Sequence, residues 1–307
     1  MELIRLLSTE FTPTPSASGY VFVQKKKKLR GLSMTELNRP PSATDSSKMY
    51  PVIVCIAKKE HDYIEEFVKY HLALGFKYIF LYDNEDTPTY ELMLHKYKHS
   101  IKVIHLPFNN YKKPVQYVAL SHFIKNYLFR TNITHVAHID IDEFIVLKKH
   151  ENICDFINEY IVGDTQGIGI NWRFFGSSGR TEKTNEPNTT RFTMCEKHGN
   201  KHIKTIFKKD NFLGFNQCHS VKFSHGYTKS TNNTIINGPF NDNIDFDVIQ
   251  LNHYKCKTLS EFRYIRTRQR ADVKGIINEN IDEHFKIYDI NEVEDLHAYN
   301  FYKKIKN

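Results

Sequence analysis

The sequence predicts an α/β protein with a mostly parallel central sheet flanked by helices. From residue 50 onward, short apolar runs alternate with segments of helical periodicity, which is typical of β-α-β units. Three of these runs end in polar, mostly acidic residues. Because the carboxyl ends of parallel strands meet at one edge of a sheet, those residues are expected to share the edge where open α/β sheets bind ligands.

Length and composition indicate one globular domain with two flanking segments. Residues 1–48 are rich in Pro, Ser and Thr and are expected to form a flexible leader. Residues 49–285 are expected to form a single globular domain, and residues 286–307 a C-terminal tail that packs on it. No run approaches about 20 apolar residues and no secretory signal order is present, so a soluble cytoplasmic protein without a transmembrane segment is expected.

The elements before the centre of the chain follow from periodicity. The run Pro51 to Ala57 (PVIVCIA) is rich in β-branched residues and predicts a buried strand. Residues 61–74 place apolar side chains on one helical face, and Gly75 ends that helix. The elements that follow alternate in type: a strand at 77–82, a helix at 90–97, a strand at 101–106 and a helix at 115–129.

The central stretch, THVAHIDIDEFIV at residues 134–146, is an apolar run interrupted by Asp140, Asp142 and Glu143. Two carboxylates separated by one residue can converge on a hard divalent cation where a strand ends and turns. The pattern also occurs in ordinary solvated turns, so it leaves both alternatives open until its context is known.

Two earlier strand ends also carry polar groups. Lys58 and Glu60 follow the first predicted strand, and Asp83 and Asn84 follow the second. Acids at this edge can accept hydrogen bonds from ribose hydroxyls or base N–H groups, although polar turns after strands are common. No G-x-G-x-x-G follows the first strand and no P-loop occurs, which argues against those two nucleotide-binding modes.

The elements after the centre are predicted in the same way. They are a helix at 152–161, a strand at 167–175, a mobile polar excursion at 181–202, strands at 202–209, 218–223 and 245–254, and a basic helix at 259–270. Trp172 precedes the small-residue loop between Gly176 and Gly179, which would suit the apolar face of a sugar. A core tryptophan before an ordinary turn explains the same pattern.

Lysines on or after two late strands are candidate phosphate ligands, with a solvated surface as the alternative for each. They are Lys204, Lys208, Lys209, Lys255 and Lys257, of which Lys208 and Lys255 are preferred for the donor site.

Five blocks of sequence together resemble GT-A glycosyltransferases of the DUF23-like group, family 92 and their family 2 relatives. The similarity covers about residues 51–272, and the order and spacing of the blocks are more specific than any one of them. The blocks are IAKKEHDYIEEFVKYHLALGFKYIFLYDN, THVAHIDIDEFIVL, NWRFFGSSG, KTIFK and LNHYKCKTLSEF.

The resemblance implies transfer of a hexosyl group from a nucleotide-sugar, with UDP preferred, to a glycan or glycoprotein, with inversion. It also implies a bound divalent ion. Asp142 would bind the metal directly, Asp140 would contact the ribose or support the metal, and His253 would complete the shell, with His219 in reserve. Carboxylate and imidazole ligands favour Mn²⁺, with Mg²⁺ as the alternative.

The general base of an inverting transfer is predicted with several candidates. Asp245 and Asp247 are preferred because they precede the strand that carries His253, and Glu182 and Glu196 are alternatives.

Two other functions share part of this evidence. A metal-dependent nucleotide or phosphate hydrolase would use the same acidic edge without an acceptor. A nucleic-acid-binding protein would use the run Lys25–Lys28 and the arginines of residues 263–270, but no basic-aromatic module supports it, so no nucleic-acid partner is expected.

Overall fold

A computed structural model describes residues 11–16, 19–24, 49–107, 113–267 and 280–306. The strands are β1 (Phe11–Ser16), β2 (Gly19–Gln24), β3 (Pro51–Ala57), β4 (Tyr78–Asp83), β5 (Ile101–His105), β6 (His135–His138), β7 (Glu143–Leu147), β8 (Thr165–Phe174), β9 (Met194–Cys195), β10 (Asn200–Lys208), β11 (Phe212–Asn216), β12 (Ser220–Phe223), β13 (Tyr227–Lys229), β14 (Ile235–Ile236), β15 (Ile249–His253) and β16 (Val293–Glu294).

The helices are α1 (Ile64–Ala73), α2 (Tyr90–Met93), α3 (Val115–Phe123), α4 (Ile153–Tyr160), α5 (Asn188–Arg191), α6 (Leu259–Arg266), α7 (Ile281–Tyr288) and α8 (His297–Lys306). A 3₁₀ turn at His95–Tyr97 follows α2, and a π-helical turn at Ile124–Leu128 continues α3. In the portions of the chain that the structure describes, no helix has the length and apolar character needed to span a membrane.

The predicted fold class is confirmed: the molecule is α/β, with a central sheet flanked by helices. The sheet runs in the order β14-β13-β8-β10-β6-β3-β4-β5, and β15 pairs with both β7 and β8. The half formed by β6, β3, β4 and β5 is parallel, whereas β10 is antiparallel to both of its neighbours. The sheet is therefore mixed, with its parallel half built from the first part of the domain.

The parallel half is buried on both faces, which explains the continuous apolar runs. Alternate residues of β3 enter different cores: Ile53 and Cys55 belong to the core that contains α1, and Val52 and Val54 to the core that contains α3. All four side chains are fully buried. This two-sided packing fixes the direction of β3, so its carboxyl end opens at the same edge as those of β4 and β6.

Part of the predicted leader belongs to a second sheet. β1 pairs with β2 in antiparallel register, and Val21 of β2 is paired with Asn216 of β11. The run Lys25–Lys28 lies outside the described residues.

Two boundaries predicted from composition also differ from the structure. The limit between residues 285 and 286 falls inside α7, and Ala298 and Tyr302 of the tail are buried in the main core. The excursion predicted to be mobile is anchored in its first half, because Asn188 and Thr189 donate backbone hydrogen bonds to the buried carboxylate of Glu66. The tail and excursion therefore pack as parts of the domain.

Candidate active site

The acidic residues of the central stretch form a tight turn, residues 139–143, between β6 and β7. The backbone N–H of Glu143 donates to the carbonyl oxygen of Asp140 (3.0 Å), and the N–H of Asp140 donates to Oε2 of Glu143 (2.9 Å). These two bonds close the turn at both ends. The side chain of Asp140 is 42% exposed and that of Asp142 is 13% exposed, whereas Glu143 is fully buried.

Lys204 of β10 lies buried beside the turn. Its Nζ is 2.9 Å from Oδ2 of Asp140 and 3.6 Å from Oε2 of Glu143. Burial alone would lower the pKa of Lys204, but the two carboxylates outweigh it and the pKa is raised. Burial would likewise raise the pKa of Asp140, but Lys204 outweighs it and the pKa is lowered. For Glu143 burial dominates, and its pKa lies well above the usual value. Lys204 and Asp140 therefore form the charged pair of the cluster.

Asp142 and His253 meet on the other side of the turn. β15 is antiparallel to β7 with His253 opposite Glu143, which brings Nε2 of His253 to 3.5 Å from Oδ2 of Asp142. The imidazole packs against both Trp172 (ring centroids 4.6 Å apart) and Phe174 (5.1 Å). Its Nδ1 is buried without a hydrogen-bond partner in the described structure. Ring packing therefore holds the imidazole in place.

The pair of Asp142 and His253 fits two adjacent positions of a divalent-ion shell. Neighbouring ligands of an octahedral ion with bonds of about 2.1 Å lie about 3 Å apart, close to the observed separation. The ranges that the structure describes contain no group of three or more His, Cys, Asp or Glu side chains able to hold an ion. Mg²⁺-like ions commonly take one or two protein ligands and complete the shell with phosphate oxygens and water.

Trp172 packs against His253, but it is a buried core residue and is not open to a ligand. Its side chain is 9% exposed, and its ring stacks on His202 at 4.9 Å and meets His219 edge-on at 5.2 Å. On the outer side of His202 lies Phe240, which is 43% exposed. Sequence reasoning missed both His202 and Phe240, since neither belongs to a recognisable motif.

The loop from Gly176 to Gly179 is fixed by the C-terminal segment. A Cβ at Gly176 would come within 2.5 Å of the Ile290 carbonyl oxygen and of Oδ1 of Asn291. Asn291 also accepts the backbone N–H of Ser178 (2.7 Å). Gly179 adopts φ +71°, which favours glycine. Contacts with Ile290 and Asn291 therefore hold the inner side of the predicted sugar-binding loop in place.

The strand ends predicted to contact the nucleotide lie at the expected edge, but their polar groups are used locally. The carboxylate of Asp83 is fully buried and accepts the backbone N–H groups of Glu85 (3.0 Å), Thr89 (2.7 Å) and Tyr90 (3.1 Å). Asn84 is also buried and donates its side-chain N–H to the carbonyl oxygen of Leu106 (2.8 Å). Asp83 would have to give up these three bonds to reach a nucleotide.

Lys58 and Glu60, which follow β3, are only partly accessible to a ligand. Glu60 is 2% exposed, and its backbone N–H donates to the hydroxyl of Tyr90 (2.9 Å). Lys58 lies 3.5 Å from Asp86 at the rim. Of this pair, Lys58 is the more accessible to an anionic ligand.

The two lysines preferred for the donor site, Lys208 and Lys255, lie in different parts of the structure. Lys208 pairs with His135 at the start of β6, and its ammonium lies 3.3 Å from Asp210, so it is at the far end of the strand from the acidic turn. Lys255 follows His253 directly after β15, and its Nζ lies 3.8 Å from the ring centroid of Tyr288. Lys204, and not Lys208, is the lysine of β10 that lies beside the acidic turn.

The preferred candidates for the general base are not brought to the site. Asp245 and Asp247 precede β15, whereas His253 ends it, and five strand residues span about 17 Å. Asp245 accepts hydrogen bonds from Thr231 Oγ1 (2.9 Å) and from the N–H of Asp247 (2.8 Å). Of the alternatives, Glu196 is buried and accepts the N–H of Phe174 (2.7 Å), and Glu182 is exposed.

Comparisons with known proteins agree with the predicted family. Residues 50–295 match the sequence model of glycosyltransferase family 92. No curated protein matches the chain. Among solved structures, fragment 1–349 of S. aureus TarS in complex with UDP is similar over 52% of this chain and 47% of its own, with 18% identity and a TM-score of 0.32. This chain thus spans about half the length of that fragment.

Two further structures are similar at the same level. A second structure of TarS 1–349 is similar over 84% of this chain and 71% of its own, with 14% identity and a TM-score of 0.35. HddC from Yersinia pseudotuberculosis is similar over 59% and 89%, with 12% identity and a TM-score of 0.35.

Proposed function

We propose that this chain, which belongs to glycosyltransferase family 92, transfers a hexosyl group from a UDP-sugar to a hydroxyl of a glycan or glycoprotein, with inversion at the anomeric carbon. The observation that carries the proposal is the meeting of Asp142 and His253, 3.5 Å apart, at the carboxyl edge of the sheet. Residues 50–295, on which the family assignment rests, include every residue of this site.

Asp142 and His253 are the residues that would hold Mn²⁺ or Mg²⁺, and the imidazole favours Mn²⁺. When bound, the ion supplies positive charge to the diphosphate as negative charge develops on the departing group. The packing of His253 against Trp172 and Phe174 orients its imidazole before any ligand arrives. Such preorganisation means that binding does not have to restrict a mobile side chain.

Asp140 has a separate role in the proposal. Lys204 holds Oδ2 of its carboxylate from the buried side, while 42% of the side chain is exposed. A carboxylate kept ionised by a buried cation is suited to accept hydrogen bonds from ribose hydroxyls. Lys255, two residues beyond His253, is the preferred ammonium group for the diphosphate.

Calorimetric titration of UDP in the presence of Mn²⁺ tests the proposal. The wild-type chain is expected to bind, and Asp142→Asn to bind roughly 100-fold or more weakly, because one of two protein ligands to the ion is lost. Asp210→Asn is the matched control, since Asp210 pairs with Lys208 at the other end of β10. Equal affinities for the wild type and Asp142→Asn would refute the metal assignment.

A screen of UDP-, GDP- and dTDP-sugars with Mn²⁺ separates transfer from hydrolysis. A glycosyltransferase is expected to consume the donor faster when a glycan acceptor is added, and to form a glycoside. Release of free sugar or phosphate at a rate that no acceptor changes would favour the hydrolase instead.

A further inference from the structure

A row of four aromatic rings leads from the candidate metal pair to the surface. His253 meets Trp172 at 4.6 Å, Trp172 stacks on His202 at 4.9 Å, and His202 meets Phe240 at 4.7 Å. Exposure rises along the row, from 5% for His253 and 9% for Trp172 to 43% for Phe240. The outer end of the row, at Phe240, is therefore open to a ligand, and His202 behind it is half-buried.

Backbone pairing fixes the outer end of this row. Ile203 donates its N–H to the carbonyl oxygen of Pro239 (3.1 Å), and Asn241 donates to that of Lys201 (2.8 Å). The resulting antiparallel bridge places Phe240 against the histidine of β10. The backbone that carries Phe240 is thus fixed, and its exposed ring rests against His202 (4.7 Å), as a binding platform requires.

The tautomer of His202 follows from its contacts with Asn200. Oδ1 of Asn200 lies 3.0 Å from the backbone nitrogen of His202 and 2.7 Å from its Nδ1. A backbone N–H can only donate, so the atom facing it is the amide oxygen and not the amide nitrogen. An amide oxygen can only accept, so Nδ1 of His202 carries a hydrogen.

The pKa of His202 is lowered from its usual value, which favours the neutral ring. Burial is the main cause that lowers its pKa, and the positive charges of Lys255 and Lys201 lower it further. A neutral imidazole with hydrogen on Nδ1 has a lone pair on Nε2. Nε2 is therefore able to accept a proton.

We propose that Phe240 and His202 form the acceptor subsite: a sugar ring packs against Phe240, and Nε2 of His202 removes the proton from the attacking hydroxyl. The inference rests on the proposed transfer reaction and supplies the general base that Asp245 and Asp247 are too remote to provide. A carbohydrate acceptor is favoured because aromatic faces pack against the apolar C–H surface of sugars.

The step balances with these residues. The acceptor oxygen forms a bond to the anomeric carbon, the bond from that carbon to the phosphate oxygen breaks, and its electron pair leaves with UDP. The hydroxyl proton passes to Nε2 of His202. The imidazolium that forms keeps its Nδ1–H bond to Asn200.

Transfer kinetics of the full chain test the subsite, with Mn²⁺, UDP-hexoses as donors and methyl glycosides as acceptors. His202→Gln is expected to lower kcat about 10²- to 10⁴-fold with a nearly unchanged acceptor KM. Phe240→Ala is expected to raise the acceptor KM roughly 2- to 10-fold. Phe129→Ala is the matched control, because Phe129 is 40% exposed and follows the π-helical turn away from this site.

Two measurements do not depend on turnover. Long-range ¹H–¹⁵N spectra of histidine-labelled protein are expected to show His202 with hydrogen on Nδ1. Trp172 is the single tryptophan of the chain and touches His202, so its fluorescence should respond to methyl glycosides in the wild type but not in Phe240→Ala.

The possible failures are distinguishable. Hydrogen on Nε2 of His202, or a His202→Gln variant with wild-type kcat, would overturn the base. Loss of Mn²⁺-dependent UDP binding in His202→Gln would show a role in the donor site and would also overturn it. A wild-type chain that does not bind UDP with Mn²⁺ would overturn the proposed transfer reaction instead.

Discussion

Two buried ionic clusters in this molecule use the same kinds of side chain but differ in how completely the oxygens of their buried glutamates are hydrogen-bonded, although Nε of Arg191 also has no partner in the described structure. In the acidic-turn cluster of Asp140, Glu143 and Lys204, Asp140 is 42% exposed and Oε1 of Glu143 is buried without a partner in the described structure. In the helix-cap cluster, the side chains of Arg191 and Glu261 are both only 1% exposed. The first cluster is open towards the sheet edge and the second is closed.

The closed cluster uses both oxygens of Glu261. Oε1 accepts hydrogen bonds from Arg191 (2.7 Å) and the hydroxyl of Tyr63 (2.8 Å), and Oε2 accepts from Arg191 (3.1 Å) and Oγ1 of Thr258 (2.7 Å). Thr258 and Glu261 also form the capping box that starts α6. Since this carboxylate has no capacity left for a ligand, we infer a structural role, whereas unused polar capacity at the acidic turn indicates a binding role.

The largest expected effect comes from breaking the closed cluster. Arg191→Met would leave the carboxylate of Glu261 buried without its counter-charge and should lower the free energy of unfolding by about 3–5 kcal/mol. Urea denaturation measures this loss. Lys304→Met is the control, because Lys304 pairs with Glu151 on the surface, where both side chains are more than 70% exposed, and little change is expected. Equal stability of the two variants would contradict a structural role for the pair.

Patterns readable in the sequence explain why the fold class was predicted and why Asp142 and His253 were expected to lie together. Apolar runs buried on both faces determined the parallel half of the sheet, and the meeting of Asp142 with His253 followed from two blocks of family resemblance. These signals are local or shared with relatives. They require no knowledge of strand register.

The positions of the misplaced and missed residues depend on strand register and on how the loops and turns beside them fold. Lys204 and Lys208 lie on one face of β10, four residues or about 13 Å apart, and only the pairing with β6 decides which one meets Asp140. In the sequence Asp83 looks available for a ligand. The three backbone N–H groups that occupy its carboxylate are brought to it only when the following loop folds. The orientation of the His202 imidazole depends on Asn200, which accepts the hydrogen bond from its Nδ1.

Removal of Lys204 tests whether the open cluster is prepared for a cation. Lys204→Met should lower the free energy of unfolding by about 2–4 kcal/mol, less than in the closed cluster because Asp140 reaches solvent. Mn²⁺ should restore part of the loss, by up to about 2.7 kcal/mol at 100 times its Kd, since the ion supplies the missing positive charge.

Thermal unfolding with and without Mn²⁺ distinguishes the two clusters. The ion should stabilise Lys204→Met more than the wild type, and should leave the deficit of Arg191→Met uncorrected. Equal stabilisation of all three proteins by Mn²⁺ would mean that the acidic turn is as closed to cations as the helix cap.

His71 forms a third buried polar site, in which every hydrogen-bonding group is used and no charge is present. Its Nδ1–H donates to the carbonyl oxygen of Phe67 (2.9 Å), and Nε2 accepts the N–H of Ile145 (3.3 Å), so both nitrogens are used. Burial lowers the pKa of His71 to about 3. Because the unfolded chain takes up a proton below about pH 6.5 and the folded chain does not, stability is complete above that pH and falls by about 1.4 kcal/mol per pH unit below it, until about pH 3.

The pH dependence of unfolding checks this smallest effect. Between pH 6 and pH 5, stability should fall by about 1.2 kcal/mol more in the wild type than in His71→Gln, which cannot take up the proton. Other buried histidines contribute to both proteins and cancel in the difference. His225→Gln, at a side chain 72% exposed, should keep the wild-type slope. An unchanged slope in His71→Gln would contradict the lowered pKa, because it would mean that His71 is protonated to the same extent in the folded and unfolded chains. A protonated His71 would place a hydrogen on Nε2 facing the N–H of Ile145, so the hydrogen bonds assigned to His71 would also be wrong.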